Sequence, residues 1–203
     1  MTIEILQTQK LLASCEEALA ARYTVHKLHE MKNPDAWLAE NGARIRAHAG
    51  SGVQADLMDK LPNLEIIGNF GVGYDAVDAK HAATKSVMVT NTPDVLTDEV
   101  ADTTIGLLID TVRELSKSQE FLRSGEWVKQ GRYPLSKLSL RGRKVGIFGL
   151  GRIGKAVAHR VEAFGLPISY HNRRKSDDVS YAYYPSLLEL AKAVDTLILV
   201  APG

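Results

Sequence analysis

Short apolar segments alternate along the chain with longer segments whose apolar residues recur every three or four positions. The first pattern is typical of buried strands, and the second is typical of helices that cover a sheet. In the first half, strands are expected at residues 3–6, 24–28, 45–49, 64–70 and 87–90, with helices between them. A second series has expected strands at 145–148, 167–171 and 196–200, with helices at 155–164 and 187–193. This alternation with short connections predicts an α/β fold built on parallel sheets.

A helical pattern without strands separates the two series. It runs from about residue 97 to 122 and ends near Gly125, and residues 125–143 are expected to be irregular. A turn signal at Thr92-Pro93-Asp94 precedes the long helix. We therefore expect a hinge at residues 92–98.

The hinge divides the chain into two expected domains, residues 1–97 and residues 98–203. The last expected strand, at 196–200, is apolar and would need a further layer to cover it. A domain seldom ends at such a strand. The expectation is therefore that the sequence is cut short and that its second domain is incomplete.

Composition excludes several classes of function. The 203 residues include 25 Lys and Arg against 24 Asp and Glu, a net charge of +1, which argues against a general electrostatic grip on nucleic acid or on a membrane surface. No apolar run approaches the length of roughly 18 residues that spans a bilayer. The single Cys15 excludes an intramolecular disulfide and is compatible with a reducing, cytoplasmic setting. The six histidines show no metal-ligand spacing, so no metal site is expected.

The clearest motif is Gly149-Leu150-Gly151-Arg152-Ile153-Gly154, which lies between an expected strand and an expected helix. In a dinucleotide site, the first glycine allows a tight turn, the second lets the backbone approach a pyrophosphate, and the third lets helix and strand pack closely. The helix N-terminus then offers N–H groups and a positive dipole end to the phosphates. Arg152 can add a charge-assisted contact. The alternative is a plain strand-to-helix connection without a ligand.

The end of the next strand bears on which dinucleotide binds. An NAD site usually has an acidic residue there for the ribose hydroxyls. Here the strand is followed by Asn172, Arg173, Arg174 and Lys175, and no acid occurs until Asp177. Guanidinium groups suit a 2′-phosphate, so the sequence favours NADP(H). The alternative is a solvated basic loop on an NAD-linked protein.

Three segments together resemble the D-isomer-specific 2-hydroxyacid dehydrogenases, on the branch of the glyoxylate/hydroxypyruvate reductases. They are Gly71–Asp78, Thr90–Asp102 and Gly142–Gly154. The resemblance covers residues 44–203 well and the first 43 residues only by pattern. It implies two doubly wound domains, a flavodoxin-like substrate domain and a Rossmann cofactor domain, with the active site in a cleft between them.

The resemblance also implies roles for individual residues. Val72 and Gly73 match the loop that binds the substrate carboxylate, and free backbone N–H groups in such a loop can form an anion nest. Thr97, Ala201 and Pro202 match cofactor contacts. The alternatives are a strand-to-helix turn without a ligand for the loop and a simple helix cap for Thr97.

Two further assignments rest on position in the same family pattern. Residues 119–143, which include Trp127, match a dimerisation arm, and a homodimer is therefore expected; a plain buried tryptophan is the competing interpretation. His48 comes at the end of an expected strand and could contact the substrate, or could be a hydrogen-bonded residue beside a loop.

The family's catalytic residues are an arginine that binds and polarises the substrate, a histidine that gives a proton, and a glutamate that raises the pKa of that histidine. They belong to later segments, and none maps onto residues 1–203; Arg141-Gly142 precedes the first cofactor strand and is not the family's Arg-Gly pair. The resemblance implies reduction of glyoxylate or hydroxypyruvate by NADPH to a D-2-hydroxy acid, with these 203 residues inactive alone. Two alternatives remain, a dinucleotide-binding regulator resembling the family's corepressors and an NAD-linked enzyme.

Overall fold

The computed structural model describes residues 2–201, which form two compact units that meet between Val95 and Leu96. This boundary lies two residues before the expected one, because the helix that begins at Thr97 packs within the second unit. Every helix in the described part of the chain is too short or too polar to cross a bilayer.

The first unit is one parallel sheet with helices. Its strands are β1 Glu4–Gln7, β2 Thr24–Lys27, β3 Ile45–Gly50, β4 Ile66–Asn69 and β5 Met88–Thr90, and its α-helices are α1 Ala13–Ala20, α2 Pro34–Asn41, α3 Ala55–Asp59 and α4 Ala79–Thr84. Short 3₁₀ helices occupy Leu28–Glu30 and Gly42–Arg44. The strand order β2-β1-β3-β4-β5 is that of a flavodoxin-like doubly wound sheet, which confirms the predicted α/β class.

Local chemistry sets where these helices begin. Asn33 caps α2 by accepting a hydrogen bond from the Ala36 N–H, and Pro34 is the first helical residue, a position that suits its fixed φ. Asp78 caps α4 in the same way through the His81 N–H, at 2.9 Å.

The second unit begins with helices and continues as a four-stranded parallel sheet. Its helices are α5 Thr97–Arg113, α6 Leu115–Arg123, α7 Glu126–Gln130, α8 Arg152–Glu162 and α9 Leu187–Ala193, and its strands are β6 Val145–Phe148, β7 Ile168–His171, β8 Ala182–Tyr183 and β9 Thr196–Leu199. The order β8-β7-β6-β9 corresponds to the first four positions, 3-2-1-4, of the Rossmann sheet. Buried side chains of β6, β7 and α8 form the core of this unit.

The structure corrects two predictions in the segment between the sheets. The single helix expected at 97–122 is broken at Glu114, which has a left-handed φ of 57°, because the Asp110 carboxylate accepts hydrogen bonds from the N–H and hydroxyl of Ser116. The segment expected to be irregular from residue 125 contains α7, which begins after Gly125 in the left-handed conformation. Side-chain bonding across the helix junction is invisible to hydrophobic periodicity.

Candidate functional site

The first candidate site is the loop after β4, at the carboxyl end of the first unit's sheet. Asn69, the last residue of β4, is almost fully buried and donates hydrogen bonds from its amide nitrogen to the Gly73 carbonyl at 2.9 Å and the Gly71 carbonyl at 3.4 Å. Asn91, just after β5, donates to the Val72 carbonyl at 2.8 Å. All three loop carbonyls are thus held by neighbouring side chains.

This bonding leaves the backbone donors of the loop available. Within residues 2–201, neither Val72 nor Gly73 donates its backbone N–H to an acceptor. Successive N–H groups of this kind form a concave anion site. The geometry suits the carboxylate contact that the sequence suggests for Val72 and Gly73, although contact with a substrate stays a prediction.

The structure places His48 inside the first unit rather than at its surface. The residue is 2% exposed, and Nε2 lies 2.8 Å from the Thr8 hydroxyl oxygen. Burial lowers the pKa of His48 to about 4, so the ring is neutral at pH 7. Nδ1 has no hydrogen-bond partner among the described residues. His48 is therefore a hydrogen-bonded residue of the strand end, and its predicted contact with substrate is not supported, because the ring is closed off from solvent.

The second candidate site is the glycine turn between β6 and α8. Gly149 has φ +98°, and a Cβ there would lie 2.5 Å from the Ala201 nitrogen. A Cβ on Gly154 would lie 2.2 Å from the Gly149 carbonyl oxygen, whereas a Cβ on Gly151 would meet no atom within 4 Å. Gly149 and Gly154 are therefore required by close backbone contacts, and Gly151 leaves open space where a ligand's phosphates can approach. Pro202, the neighbouring predicted contact, lies outside the described residues.

The N-terminus of α8 faces this open space without a side-chain cap. Gly151 is the N-cap residue and has no side chain to occupy the first N–H groups of the 11-residue helix. Arg152 and Ile153 open the helix, and Arg152 is exposed. Uncapped N–H groups, the helix dipole and a nearby guanidinium together favour an anion such as a pyrophosphate.

The residues after β7 divide into one that supports the turn and three that stay exposed. The Asn172 side-chain oxygen accepts a hydrogen bond from the Leu150 N–H at 2.7 Å, so this side chain holds the glycine turn. Arg173, Arg174 and Lys175, which we call the basic loop, are exposed. None of the three forms an ion pair with another residue in the part of the chain that the structure describes. The basic loop is therefore available to an anionic ligand.

Thr97 does not cap its helix. It is the first residue of α5, and the N-cap position is held by Leu96, which makes no side-chain capping bond. The alternative interpretation of Thr97 as a cap is thus wrong, and its cofactor contact stays a prediction. The helix is instead fixed to α8 by Arg160, whose guanidinium pairs with Asp98 at 3.0 Å and with Asp102 at 2.5 Å.

The segment predicted to be a dimerisation arm, residues 119–143, carries an exposed apolar surface. Trp127 is 49% exposed, so the alternative of a plain buried tryptophan is wrong. Leu122, Val128 and Leu135 are more exposed still. A run of exposed large apolar side chains is unusual on a monomeric protein and typical of an interface.

Comparison with known proteins places this architecture in a family. Residues 105–203 match the family model described as D-isomer specific 2-hydroxyacid dehydrogenase, NAD binding domain. The chain is 40% identical over 204 residues to glyoxylate/hydroxypyruvate reductase A of Arabidopsis thaliana, covering 99% of this chain and 64% of the relative. The chain belongs to the D-isomer-specific 2-hydroxyacid dehydrogenase family.

Two further relatives show the range of this family. The chain is 41% identical to hydroxyphenylpyruvate reductase of Plectranthus scutellarioides, covering 98% of this chain and 64% of the relative. The structure of an NADPH-dependent glyoxylate/hydroxypyruvate reductase from Sinorhizobium meliloti, solved with NADP and malonate, matches with a TM-score of 0.88 and 44% identity. That match covers 100% of this chain and 63% of the neighbour. The chain therefore spans just under two thirds of the length of these dehydrogenases.

Proposed function

We propose that the chain is part of an NADPH-dependent reductase of short 2-keto acids. Its substrate would be glyoxylate or hydroxypyruvate, and its product a D-2-hydroxy acid. The observation that carries this proposal is the basic loop. Arg173, Arg174 and Lys175 follow β7 directly, at the place where an NAD-binding dehydrogenase usually carries an acid. Bound NADPH would supply the hydride.

The two candidate sites supply complementary parts of such a reductase. The glycine turn and the N-terminus of α8 would hold the pyrophosphate, and the basic loop would hold the 2′-phosphate. The Val72 and Gly73 N–H groups would receive the substrate carboxylate. A structural neighbour from the same family was solved with NADP and malonate, a small carboxylate, which supports both assignments.

Substrate choice rests on the size and charge that the site accepts. The family relatives named above act on glyoxylate, hydroxypyruvate or hydroxyphenylpyruvate, all of which are 2-keto acids. Their shared feature is a carboxylate next to a carbonyl, and the anion site in the first unit suits the carboxylate. We propose the smaller substrates because the chain resembles the glyoxylate/hydroxypyruvate branch in its motifs.

A binding titration tests the cofactor assignment directly. NADPH and NADH are added separately to the purified 203-residue chain, and binding is followed by cofactor fluorescence. We expect tighter binding of NADPH by at least about tenfold, because one charge-assisted hydrogen-bonded contact to a phosphate is worth about 1.5–3 kcal/mol. Equal affinities would contradict the NADPH assignment and favour the NAD-linked alternative. If neither cofactor binds, the proposal that the chain carries a cofactor site is contradicted.

We also propose that the protein forms a homodimer through residues 119–143. The support is the exposed apolar surface around Trp127 and Val128, of which Val128 is 88% exposed. Replacing Val128 by aspartate would place a charge in the proposed interface. Sedimentation velocity is expected to show a dimer for the parent chain and a shift to monomer for Val128→Asp. A monomeric parent chain at high concentration would contradict this proposal.

A further inference from the structure

The path of the basic loop is fixed at both ends by hydrogen bonds. At its start, Asn172 accepts the Leu150 N–H at 2.7 Å, and the Asn172 carbonyl accepts a bond from the Tyr183 hydroxyl at 3.3 Å. At its end, the Tyr170 hydroxyl accepts the Ser176 N–H at 2.9 Å and lies 3.3 Å from the Ser176 carbonyl. The three cationic residues thus form a short segment between Asn172 and Ser176, which are both held by hydrogen bonds.

Tyr170 differs from the other residues around the loop because it is part of the core. It lies in β7 with 0% of its surface exposed, and its ring is 5.4 Å from the ring of Tyr183. A hydroxyl on such a rigid side chain holds the Ser176 backbone at a fixed place relative to the sheet. Burial of an aromatic ring alone would not require the hydroxyl, so its two contacts with one backbone residue indicate a positioning function.

A second tether acts on the same end of the loop. The Ser176 hydroxyl donates to the Asp178 carboxylate at 2.8 Å, and the Lys155 ammonium of α8 pairs with that carboxylate at 2.5 Å. The hydrogen bond from Lys155, which has the larger effect, and the one from Ser176 both lower the pKa of Asp178. Asp178, the second of the two acids that follow the basic loop, is thereby engaged by a lysine outside the loop, which limits its competition for the three cations.

We propose that Tyr170 is a positioning residue that holds the basic loop in the place where it receives a 2′-phosphate, and that it thereby sets the preference for phosphorylated adenosine ribose. This inference rests on the proposed NADPH preference. The backbone of a loop loses conformational entropy when its side chains bind a ligand, and a backbone that is already anchored has less of this entropy to lose. Tyr170 would touch neither the phosphate nor the ribose, and it acts through Ser176.

The test separates positioning from general stability. Tyr170→Phe removes both contacts with Ser176 and keeps the ring in the core. Its control is Tyr181→Phe, which also removes one tyrosine hydroxyl, here donated to the Glu162 carboxylate at 2.9 Å. The probes are 2′,5′-ADP and 5′-AMP, titrated by calorimetry into the 203-residue chain, because they differ only in the 2′-phosphate.

We expect Tyr170→Phe to reduce the affinity ratio of 2′,5′-ADP over 5′-AMP by about three- to tenfold, which corresponds to losing one buried hydrogen bond. Its affinity for 5′-AMP should stay within about twofold of the parent, and Tyr181→Phe should keep the parent ratio. An unchanged ratio in Tyr170→Phe would overturn the inference and leave the NADPH assignment intact. A parent chain without any preference for 2′,5′-ADP would overturn the proposed function itself.

A second variant keeps the inference testable if Tyr170→Phe does not fold. Asp178→Ala removes the other tether of Ser176, removes one negative charge and releases Lys155. If charge alone decided the affinity, 2′,5′-ADP would bind more tightly to this variant. If the tethers decide it, binding weakens by about threefold or more despite the added positive charge. Tighter binding would therefore overturn the positioning argument.

Discussion

Replacing Gly154 by alanine tests whether the close approach of α8 to the glycine turn is built into the second unit. The added Cβ would lie 2.2 Å from the Gly149 carbonyl oxygen, which is about 1 Å short of van der Waals contact. That oxygen belongs to the backbone and cannot rotate away. The helix would have to withdraw, and with it Val157 and Val161, which are fully buried.

The expected loss combines two opposing effects. Forcing a methyl group into a packed site costs about 3 kcal/mol when backbone must move. Replacing glycine by alanine within a helix returns about 1 kcal/mol of helix propensity. The net loss is about 2 kcal/mol, and in a unit of roughly 100 residues this lowers Tm by about 10 °C.

Thermal unfolding measures this loss, with Gly151→Ala as the matched control. Far-UV circular dichroism follows both units, and the fluorescence of Trp127 in a Trp37→Phe background follows the second unit, because these are the chain's 2 tryptophans. A Cβ on Gly151 meets nothing within 4 Å, so Tm should change little while NADPH affinity falls. A Tm for Gly154→Ala equal to or above the parent would refute the reasoning, because helix propensity would then outweigh the contact.

Three further outcomes are expected. The double variant Arg173→Ala/Arg174→Ala should weaken NADPH binding by about tenfold or more and change NADH binding by less than twofold in parallel titrations; equal losses would show that the loop does not contact the 2′-phosphate. Because burial lowers the pKa of His48 from 6.5 to about 4, the unfolded chain takes up a proton that the folded chain excludes, and the first unit should lose stability as pH falls from 6.5 to 4. Urea unfolding should show that His48→Gln removes this part of the pH dependence, and an unaltered slope would contradict it. Malonate should shift the backbone amide resonance of Val72 in NMR spectra, less so in Asn91→Ala; a resonance that does not move would argue against the anion site.

The order of strands and helices was predictable because hydrophobic periodicity reports which faces are buried. The break at Glu114 was not, since the helical pattern continues across it and the left-handed residue follows from the hydrogen bonds between Asp110 and Ser116. The strand β8 is only two residues long and carries no periodicity at all. Hydrogen bonds between side chain and backbone at a helix junction, and the pairing of very short strands, are thus the features that hydrophobic patterns do not predict.

The glycine turn could be identified from sequence because close backbone contacts require Gly149 and Gly154, and because Gly151 leaves open space for a ligand. Tyr170 could not be identified, because an aromatic residue in an apolar strand predicts only a core position, and its hydroxyl partner lies six residues further on. His48 was placed correctly at a strand end, but its hydrogen-bond partner is Thr8, which directly follows the neighbouring strand β1. Functional contacts made across the sheet require the fold before they can be assigned.

Both candidate sites use asparagine to hold the backbone where an anion is expected. Asn69 and Asn91 donate to the carbonyls of the first loop, and Asn172 accepts from the Leu150 N–H of the glycine turn. Aspartate could replace only the last of these, because a carboxylate accepts hydrogen bonds and cannot donate them. It would also place a negative charge beside the helix terminus that is to receive a pyrophosphate, at a cost that grows as water is excluded. A neutral amide orients the backbone and leaves the positive potential of the site unopposed.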